Sequence, residues 1–231
     1  MAVKQAARES PQDTNRAIAG FWRHRLLCRV FANANCSFVL KGGHAVLART
    51  VDARATRDID LLSRGDSLDA AVEELKRLAT VDLGDFATFE FMRATPIKTE
   101  DEYRSGLNVR FRCLVGAKPV QDVSIDLVVD EVALENIDIV VPADRLEVRD
   151  VEVCDYAVYP VECALADKLC TAWANFARTG DPSIEGVEWT PYDSTTRATM
   201  VIGNDSSMRM ENDWLGAQRT LIEPLLDLYV K

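Results

Sequence analysis

The feature that most constrains this chain is a Gly-Gly turn between an apolar strand and a short helix. The apolar run at 36–40 predicts a strand, and Lys41-Gly42-Gly43 predicts a turn that leads into a helix at 45–48. The first turn of a helix presents unbonded backbone N–H groups and the positive end of the helix dipole. The turn is therefore a candidate phosphate-binding site.

A second stretch, Arg54–Leu61, has the alternation of a half-buried strand. Asp58 and Asp60 alternate with Ile59 and Leu61, so the period of two places both carboxylates on one face. Two carboxylates on one strand face provide the hard oxygen ligands that Mg²⁺ prefers. Each stretch alone is a weak signal. Together they favour phosphoryl transfer, which depends mainly on positioning and electrostatics.

Taken in order, Lys41-Gly42-Gly43 and Arg54-x-Thr56-x-Asp58-Ile59-Asp60 resemble motifs of the minimal nucleotidyltransferases of the DNA polymerase beta superfamily, in particular the AbiEii/AbiGii-like abortive-infection toxins. The resemblance implies an α+β fold in which helices pack on a mixed β-sheet. It also implies site roles: Asp58 and Asp60 as catalytic metal ligands, and nucleotide contacts from Lys41, Gly42, Gly43, Arg54 and Thr56. One departure is His44, which stands where broader superfamily members often carry a serine able to bond phosphate.

A predicted strand at 120–130 supplies a third acidic residue. Its apolar residues alternate with Asp122, Ser124 and Asp126, which therefore share one face. The superfamily carries its third acid on such a strand, and the resemblance places Asp126 there. Asp126 would complete the metal site or accept the proton of the attacking hydroxyl. Asp122 and Asp130 remain alternatives.

A helix that begins near Pro160 carries the last matching motif. Proline is favoured in the first turn of a helix, and residues 160–169 read Pro-Val-Glu-Cys-Ala-Leu-Ala-Asp-Lys-Leu. This resembles the family's fourth motif, Pro-x-Glu-x-x-Leu-Ala-Asp/Glu-Lys-Leu, and implies that Lys168 holds the phosphates of the nucleotide. On its spacing alone, Lys168 would be interpreted as an ordinary exposed helical lysine.

The remaining patterns predict the elements around these motifs. Met1 to about Asp13 is predicted to be frayed, and apolar residues at helical spacing predict a long helix from Thr14 to about Ala34. Ser67 is the predicted N-cap of another helix. Apolar runs predict further strands at 86–94, 107–116, 137–141 and 146–151.

The C-terminal part of the chain changes in character. Residues 172–182, 189–193 and 198–202 resemble the extreme C-terminus of bacterial type-B carboxylesterases. No Gly-x-Ser-x-Gly nucleophile motif occurs in the sequence, which excludes esterase chemistry of that kind. We therefore expect a nucleotidyltransferase domain at 14–178 and a poorly packed carboxylesterase-like tail at 179–231, with one amphipathic helix around Ile222–Leu228.

The charge of the chain is unevenly distributed. The net charge is −10, but the first 65 residues hold 11 Lys and Arg against 5 Asp and Glu, whereas the remainder holds 16 against 32. A basic face near the site could bind a polyanion despite the acidic total. The arginines of the first predicted helix, namely Arg16, Arg23, Arg25 and Arg29, and Arg8 before it could equally be the solvated side of an amphipathic helix.

Cysteine content and hydropathy bear on three points: a zinc site, the cellular location and membrane association. The six cysteines form no Cys-x-x-Cys pair and only two histidines are present, so a zinc site is not expected. Scattered thiols and the lack of a recognisable signal peptide predict a cytoplasmic protein. No apolar run reaches membrane-spanning length, so no membrane association is expected.

The resemblance implies an enzyme that uses Mg²⁺ and an NTP and acts as the toxin of a type IV toxin–antitoxin pair. The acceptor would be a hydroxyl of tRNA or of a protein, and a cognate antitoxin would be a partner. Two alternatives remain: a catalytically crippled chimera whose tail replaced the family's closing helices, and an antibiotic-modifying nucleotidyltransferase. The basic N-terminal part favours RNA over a small acceptor.

Overall fold

The computed structural model describes residues 2–32, 37–50, 56–97, 106–129, 137–203 and 207–220. The chain divides into two compact units, Met1–Pro160 and Val161–Lys231. The first unit contains a seven-stranded mixed sheet with helices packed on it, which confirms the predicted α+β class.

The first unit contains four helices and seven strands within the described residues. The helices are α1 (Ala2–Glu9), α2 (Thr14–Val30), α3 (Gly42–Arg49) and α4 (Leu68–Ala79). The strands are β1 (Phe38–Lys41), β2 (Ile59–Ser63), β3 (Ala87–Pro96), β4 (Gly106–Val115), β5 (Lys118–Val129), β6 (Asp138–Val140) and β7 (Tyr156–Val158).

The strand order is β3-β4-β5-β2-β1-β7-β6, so β2 and β5 lie at the centre of the sheet. They run parallel to each other, whereas β1 runs antiparallel to β2 and β4 antiparallel to β5. In a parallel pair, the corresponding ends of the two strands lie at the same edge of the sheet. This topology places Asp60 and Asp126 side by side in the middle of the sheet.

The alternation in β5 determines which side of the sheet forms the core. Val123, Ile125 and Leu127 are buried, as the period of two predicts, and they pack with residues of α2 and α4 in one hydrophobic cluster. Helix α4 begins as expected, because the Ser67 hydroxyl accepts a hydrogen bond from the Ala70 N–H at 3.2 Å. The other face of β5 is left for polar residues.

The solvated-face interpretation of the α2 arginines is wrong for Arg25 and Arg29. Both side chains are only 1% exposed, and residues 24–30 of α2 are buried in succession. Arg25 Nε and Arg29 Nη2 donate to the two carboxylate oxygens of Asp85 at 2.5 and 2.7 Å. Further N–H groups donate to the carbonyls of Glu152 and Ala87. These acceptors satisfy the buried cations, so neither residue belongs to a solvated or a ligand-binding face.

Several other boundaries differ from the predictions. The predicted frayed segment contains helix α1, and α2 ends at Val30 rather than near Ala34. The predicted strand at 146–151 does not form; instead β7 forms at Tyr156–Val158 and pairs with β1 through Leu40 and Val158. A strand of three residues has too little periodicity to be recognised, and only its sheet neighbours define it.

The second unit contains helix α5 (Val161–Thr179) and a hairpin of β8 (Ala198–Ile202) and β9 (Met208–Asn212). Among its described residues, the buried apolar side chains are Ala172, Ala198 and Met208. Large apolar side chains remain exposed, including Trp173, Phe176, Tyr192, Trp214 and Leu215. This sparse burial agrees with the poor packing predicted for the tail. The helix expected at Ile222–Leu228 lies outside the described residues.

In the described part of both units, no helix combines the length and the apolar character needed to cross a membrane. The predicted boundary between residues 178 and 179 stays a prediction.

Candidate active site

Three predicted site residues lie in one row across the central strands. Lys41 of β1 is in register with Asp60 of β2, and Asp60 is in register with Asp126 of β5. Opposite residues of neighbouring strands share a face, so these three side chains project from the same side of the sheet. The row therefore places one cation and two carboxylates together.

The two carboxylates repel each other in a partly buried setting. Burial, together with the charges of Asp126 and Asp58, raises the pKa of Asp60 to about 6. The charge of Lys41 and a hydrogen bond from the Gly43 N–H act in the opposite direction. A divalent cation between the oxygens would relieve this repulsion, and carboxylates are hard ligands, so the pair fits Mg²⁺.

A complete three-residue metal cluster is not preformed. Within the described ranges, no group of three or more His, Cys, Asp or Glu side chains is arranged to hold a metal ion. Asp58 lies one residue before β2 and is exposed, whereas Asp60 and Asp126 are half-buried. The structure thus brings together Asp60 and Asp126, two of the three predicted ligands, and Asp58 precedes Asp60 by two residues in sequence.

The Gly-Gly turn approaches Asp60 so closely that a side chain does not fit. Gly42 has φ +60°, and a Cβ there would lie 2.2 Å from Asp60 Oδ2. Helix α3 begins directly at Gly42, so the predicted junction of strand and helix forms, but the helix starts three residues before the predicted Ala45. The Gly43 N–H bonds the Asp60 carboxylate, and a Cβ on Gly43 would lie 3.0 Å from Thr56 Cβ. Glycine is therefore required at position 42 for the close approach of α3 and β2, whereas a Cβ on Gly43 would require Thr56 to shift.

His44 has a positioning role that the sequence did not predict. Its imidazole is buried, and its Nδ1 lies 3.0 Å from the carbonyl oxygen of Asp58. Burial, together with the charge of Arg23, lowers the pKa of His44 to about 4, so the ring is neutral and Nδ1–H donates to this carbonyl. His44 thus ties α3 to the residue that precedes β2.

The remaining predicted nucleotide contacts lie in different places. Thr56 is half-buried, and its hydroxyl donates to the Asp58 carbonyl at 3.4 Å. Lys168 is half-buried on α5 in the second unit. Arg54 and Asp130, the latter an alternative third acid, lie outside the described residues. The nucleotide-binding and catalytic roles of all these residues stay predictions.

Asn108 was missed by the sequence analysis. Its Nδ2 donates to Asp126 Oδ1 at 2.6 Å and to Ser124 Oγ at 2.8 Å, which fixes the orientation of the Asp126 carboxylate. Asn108 and Asp126 are directly opposite in the β4–β5 hairpin. Counting from the turn would have placed Asn108 opposite Ile125, because a register shift between Cys113 and Leu114 displaces the pairing by one residue. Of the three candidate acids, Asp126 is the one in register with Asp60, whereas Asp122 pairs with Arg112.

Comparisons with known proteins give partial matches to an esterase and to two solved structures. A stretch of 60 residues, 26% of this chain, is 38% identical to para-nitrobenzyl esterase of Bacillus subtilis (strain 168), of which it covers 12%. The crystal structure of JHP933 from Helicobacter pylori is similar with a TM-score of 0.40 and 17% identity, over 66% of this chain and 57% of that chain. A proposed nucleotidyltransferase from H. pylori matches with a TM-score of 0.39 and 16% identity, over 70% of this chain and 60% of that one.

These matches span less than two thirds of the length of each of the three proteins. The family comparison is broader. The profile of the nucleotidyl transferase AbiEii toxins of type IV toxin–antitoxin systems matches residues 25–182, which include β1, β2, β5 and all of α5. The chain belongs to the AbiEii nucleotidyl transferase toxin family.

Proposed function

We propose that this chain is a Mg²⁺-dependent nucleotidyltransferase that transfers a nucleoside monophosphate from an NTP to a hydroxyl of RNA, such as tRNA, or of a protein. The observation that carries this proposal is the register of Asp60 with Asp126 beside the Gly42 turn. A hydroxyl oxygen of the acceptor would bond the α-phosphorus, and diphosphate would leave. The proton of that hydroxyl would pass to a carboxylate, for which Asp126 is the candidate.

The carboxylates of Asp58, Asp60 and Asp126 would hold the metal. When bound, Mg²⁺ would neutralise charge on the triphosphate and hold its oxygens in position. The raised pKa of Asp60 supports this role, because a carboxylate that is costly to ionise alone gains most from a cation next to it. Asn108 would keep the Asp126 carboxylate in a fixed orientation through its 2.6 Å hydrogen bond.

The triphosphate would lie against the turn between β1 and α3. Gly42 and Gly43 allow close approach of the backbone, and Lys41 adds positive charge in the same row. Arg54, Thr56 and Lys168 would supply further contacts to the nucleotide. The Gly43 N–H bonds Asp60 in the structure, so it would exchange this acceptor for a phosphate oxygen.

Nucleotide binding tests the proposal without knowledge of the acceptor. We expect each suitable NTP with Mg²⁺ to stabilise the chain against thermal unfolding by about 1–3 kcal/mol at saturating ligand. Asp60→Asn and Asp126→Asn should abolish this stabilisation. Asp122→Asn is the matched control, since Asp122 lies on β5 on the same face but pairs with Arg112 at 3.0 Å. Lack of stabilisation of the wild type by all four NTPs would contradict the proposal.

The cellular part of the proposal is a cytoplasmic toxin with a cognate antitoxin. We expect expression of the chain to slow bacterial growth, and Lys168→Ala to relieve the inhibition if α5 supplies a phosphate contact. A helix-turn-helix protein encoded in the adjacent reading frame would support the type IV assignment. Equal growth of cells that express the wild type, Asp60→Asn and Lys168→Ala would contradict the toxin role.

A catalytically inactive chimera is the second candidate. It is favoured by the short esterase match and by the exposed aromatic side chains of the second unit, such as Trp173 and Tyr192. This candidate predicts that NTP with Mg²⁺ binds while no acceptor is modified. The first proposal predicts both binding and transfer.

A further inference from the structure

Next to Asp126 the sheet carries a face of polar and basic residues. On β4, Val109 and Phe111 are buried, so the residues that alternate with them project from the other side. This open sheet face consists of Asn108, Arg110 and Arg112 on β4 and Asp122, Ser124 and Asp126 on β5. The hydrogen bonds from Asn108 to Asp126 and from Arg112 to Asp122 confirm that both strands contribute to one face.

Arg110 occupies the middle of this face and has an unsatisfied donor. It is opposite Ser124, and it lies two residues along the strand from the Asn108–Asp126 pair. Its Nε is buried and has no hydrogen-bond partner. A buried donor of a charged group is costly when no acceptor is present, so this nitrogen marks a place where an acceptor is missing.

Arg93 extends the same face onto the neighbouring strand. It is in register with Arg110 in the β3–β4 pair, and it is exposed. The acids near these residues are Asp122, which is hydrogen-bonded to Arg112, and Glu90, which is opposite Arg112. The pKa of Asp122 is lowered, first by the Arg112 hydrogen bond and then by the charges of Arg112, Arg110 and Arg93. Because Asp122 is already hydrogen-bonded to Arg112, the positive charges of Arg110 and Arg93 are available on the β4–β3 side of the face.

We propose that Arg110 and Arg93 form a subsite that binds a phosphodiester of the RNA acceptor, next to its reacting hydroxyl. This inference rests on the proposed function, because it takes Asp60 and Asp126 as the centre of the reaction. The strand order then separates a nucleotide side of the site from an acceptor side. The Gly42 turn lies on the β1 side of the carboxylates, and the two arginines lie on the β4–β3 side.

The arginines are too far from the turn to share one phosphate with it. From β1 through β2 and β5 to β4 is three strand spacings, or about 14 Å between the backbones. Along the strand, by contrast, Arg110 is displaced from the Asn108–Asp126 pair by two residues, or about 7 Å. The donor triphosphate thus occupies the β1 side. A phosphodiester next to the reacting hydroxyl would lie over Arg110 and Arg93, where the guanidinium groups could bond its oxygens.

The chemistry of the acceptor follows from this arrangement. The side chain of a serine, threonine or tyrosine brings no phosphate to the β4–β3 side, and neither does a small hydroxylated antibiotic. An RNA strand with a free 3′ hydroxyl does so through its last phosphodiester. The face therefore favours RNA among the acceptors that the carboxylate site could otherwise serve.

The test compares binding of a short single-stranded RNA with a free 3′ hydroxyl to the wild type and to three variants, without NTP. Arg110→Gln and Arg93→Gln should each weaken RNA binding by about tenfold, since each removes a charge-assisted contact. Each should also lower the slope of log affinity against log salt by about one contact. Arg112→Gln is the matched control, because its guanidinium bonds Asp122; it should change the affinity by less than about twofold.

Arg93 is exposed, so Arg93→Gln tests the proposal even if Arg110→Gln fails to fold. Thermal stabilisation by NTP with Mg²⁺ should be unchanged in Arg93→Gln, which separates this inference from the proposed function. Wild-type affinity of Arg93→Gln for RNA would overturn the inference, as would an equal loss in Arg112→Gln. Stabilisation of the wild type by NTP without any binding of RNA would overturn the inference and leave the nucleotide site intact.

Discussion

The two units of the chain differ in how far they bury their apolar and charged side chains. In the first unit, strand and helix side chains form one buried cluster, and the fully buried Arg25 and Arg29 both donate to Asp85. In the second unit, the described residues leave Trp173, Phe176 and Tyr192 largely exposed, and the Arg219–Asp213 ion pair is only half-buried. Predicted site residues come from both: Asp60 and Asp126 from the first, Lys168 from the second.

The difference matters for stability because ordering a residue costs about 1–2 kcal/mol of backbone entropy. Apolar burial offsets this cost at about 25 cal/mol per Å². A unit that buries few apolar side chains therefore opens locally more often than one with a continuous core. We expect the sheet that carries Asp60 and Asp126 to open less often than α5, which carries Lys168.

Limited proteolysis should show the largest contrast between the units. Trypsin should cleave first between Arg178 and Arg219, because Arg178 and Arg209 are exposed in the sparsely packed unit. The product should be an N-terminal core of roughly 175 residues that resists further cleavage and still binds NTP. Mass spectrometry of a digestion time course measures this. If residues 179–231 resist cleavage as well as the core does, the contrast is wrong.

Removal of Asp85 should produce the largest change in stability. Asp85→Ala would leave Arg25 and Arg29 buried without their shared counter-ion, which costs about 3–5 kcal/mol. The matched control is Asp213→Ala in the second unit, which breaks a half-buried, solvent-accessible ion pair at 2.7 Å and should have a much smaller effect. Urea unfolding monitored by circular dichroism compares them. Equal destabilisation by both substitutions would contradict the account.

The same ion cluster predicts a pH dependence of the first unit. Burial raises the pKa of Asp85, but hydrogen bonds from Arg29, Arg25 and the Ala87 N–H outweigh it, so the pKa falls from 3.8 to about 2. A depressed folded-state pKa stabilises the fold above the unfolded value. This stabilisation is lost as the pH falls from about 4 through about 2.

Tryptophan fluorescence can show which unit loses stability at low pH. Trp22 is the tryptophan of the first unit, whereas Trp173, Trp189 and Trp214 belong to the second. In a variant with phenylalanine at the latter three positions, unfolding monitored by Trp22 should need less urea at about pH 2.5 than at about pH 5. Adding Asp85→Asn should reduce this difference. An unchanged difference would show that Asp85 is not its source.

The smallest effect is expected from an exposed aromatic of the second unit. Trp173 is 66% exposed on α5, so Trp173→Ser should change the free energy of unfolding by less than about 0.5 kcal/mol. Phe111 of β4 is 1% exposed in the core, and Phe111→Ala should cost about 3–5 kcal/mol. Thermal unfolding of both variants measures the contrast. A cost of Trp173→Ser close to that of Phe111→Ala would mean that Trp173 is part of a real core.

The central part of the fold and site could be predicted because its signals are local. The Gly42 turn, the alternation of Asp122, Ser124 and Asp126, and the Ser67 cap each depend on neighbours in sequence, and each forms as predicted. The close approach that excludes a Cβ at Gly42 agrees with the glycine found there.

The features that were missed depend on residues distant in sequence. Arg25 and Arg29 have the spacing of a solvated helix face, and only Asp85, about 60 residues later, makes their burial possible. His44 acts through the Asp58 carbonyl, and Asn108 through a carboxylate 18 residues away. β7 forms because it pairs with the neighbouring strand β1. Periodicity carries no information on such pairings.

The central claim is that the Asp60–Asp126 pair supports nucleotidyl transfer. The most direct measurement incubates the protein with radiolabelled NTPs, Mg²⁺ and total tRNA, and compares the wild type with Asp60→Asn and the Asp122→Asn control. The account predicts label in RNA for the wild type and Asp122→Asn and no label for Asp60→Asn, with all three proteins equally folded by circular dichroism. Transfer by Asp60→Asn at the wild-type rate would contradict the account.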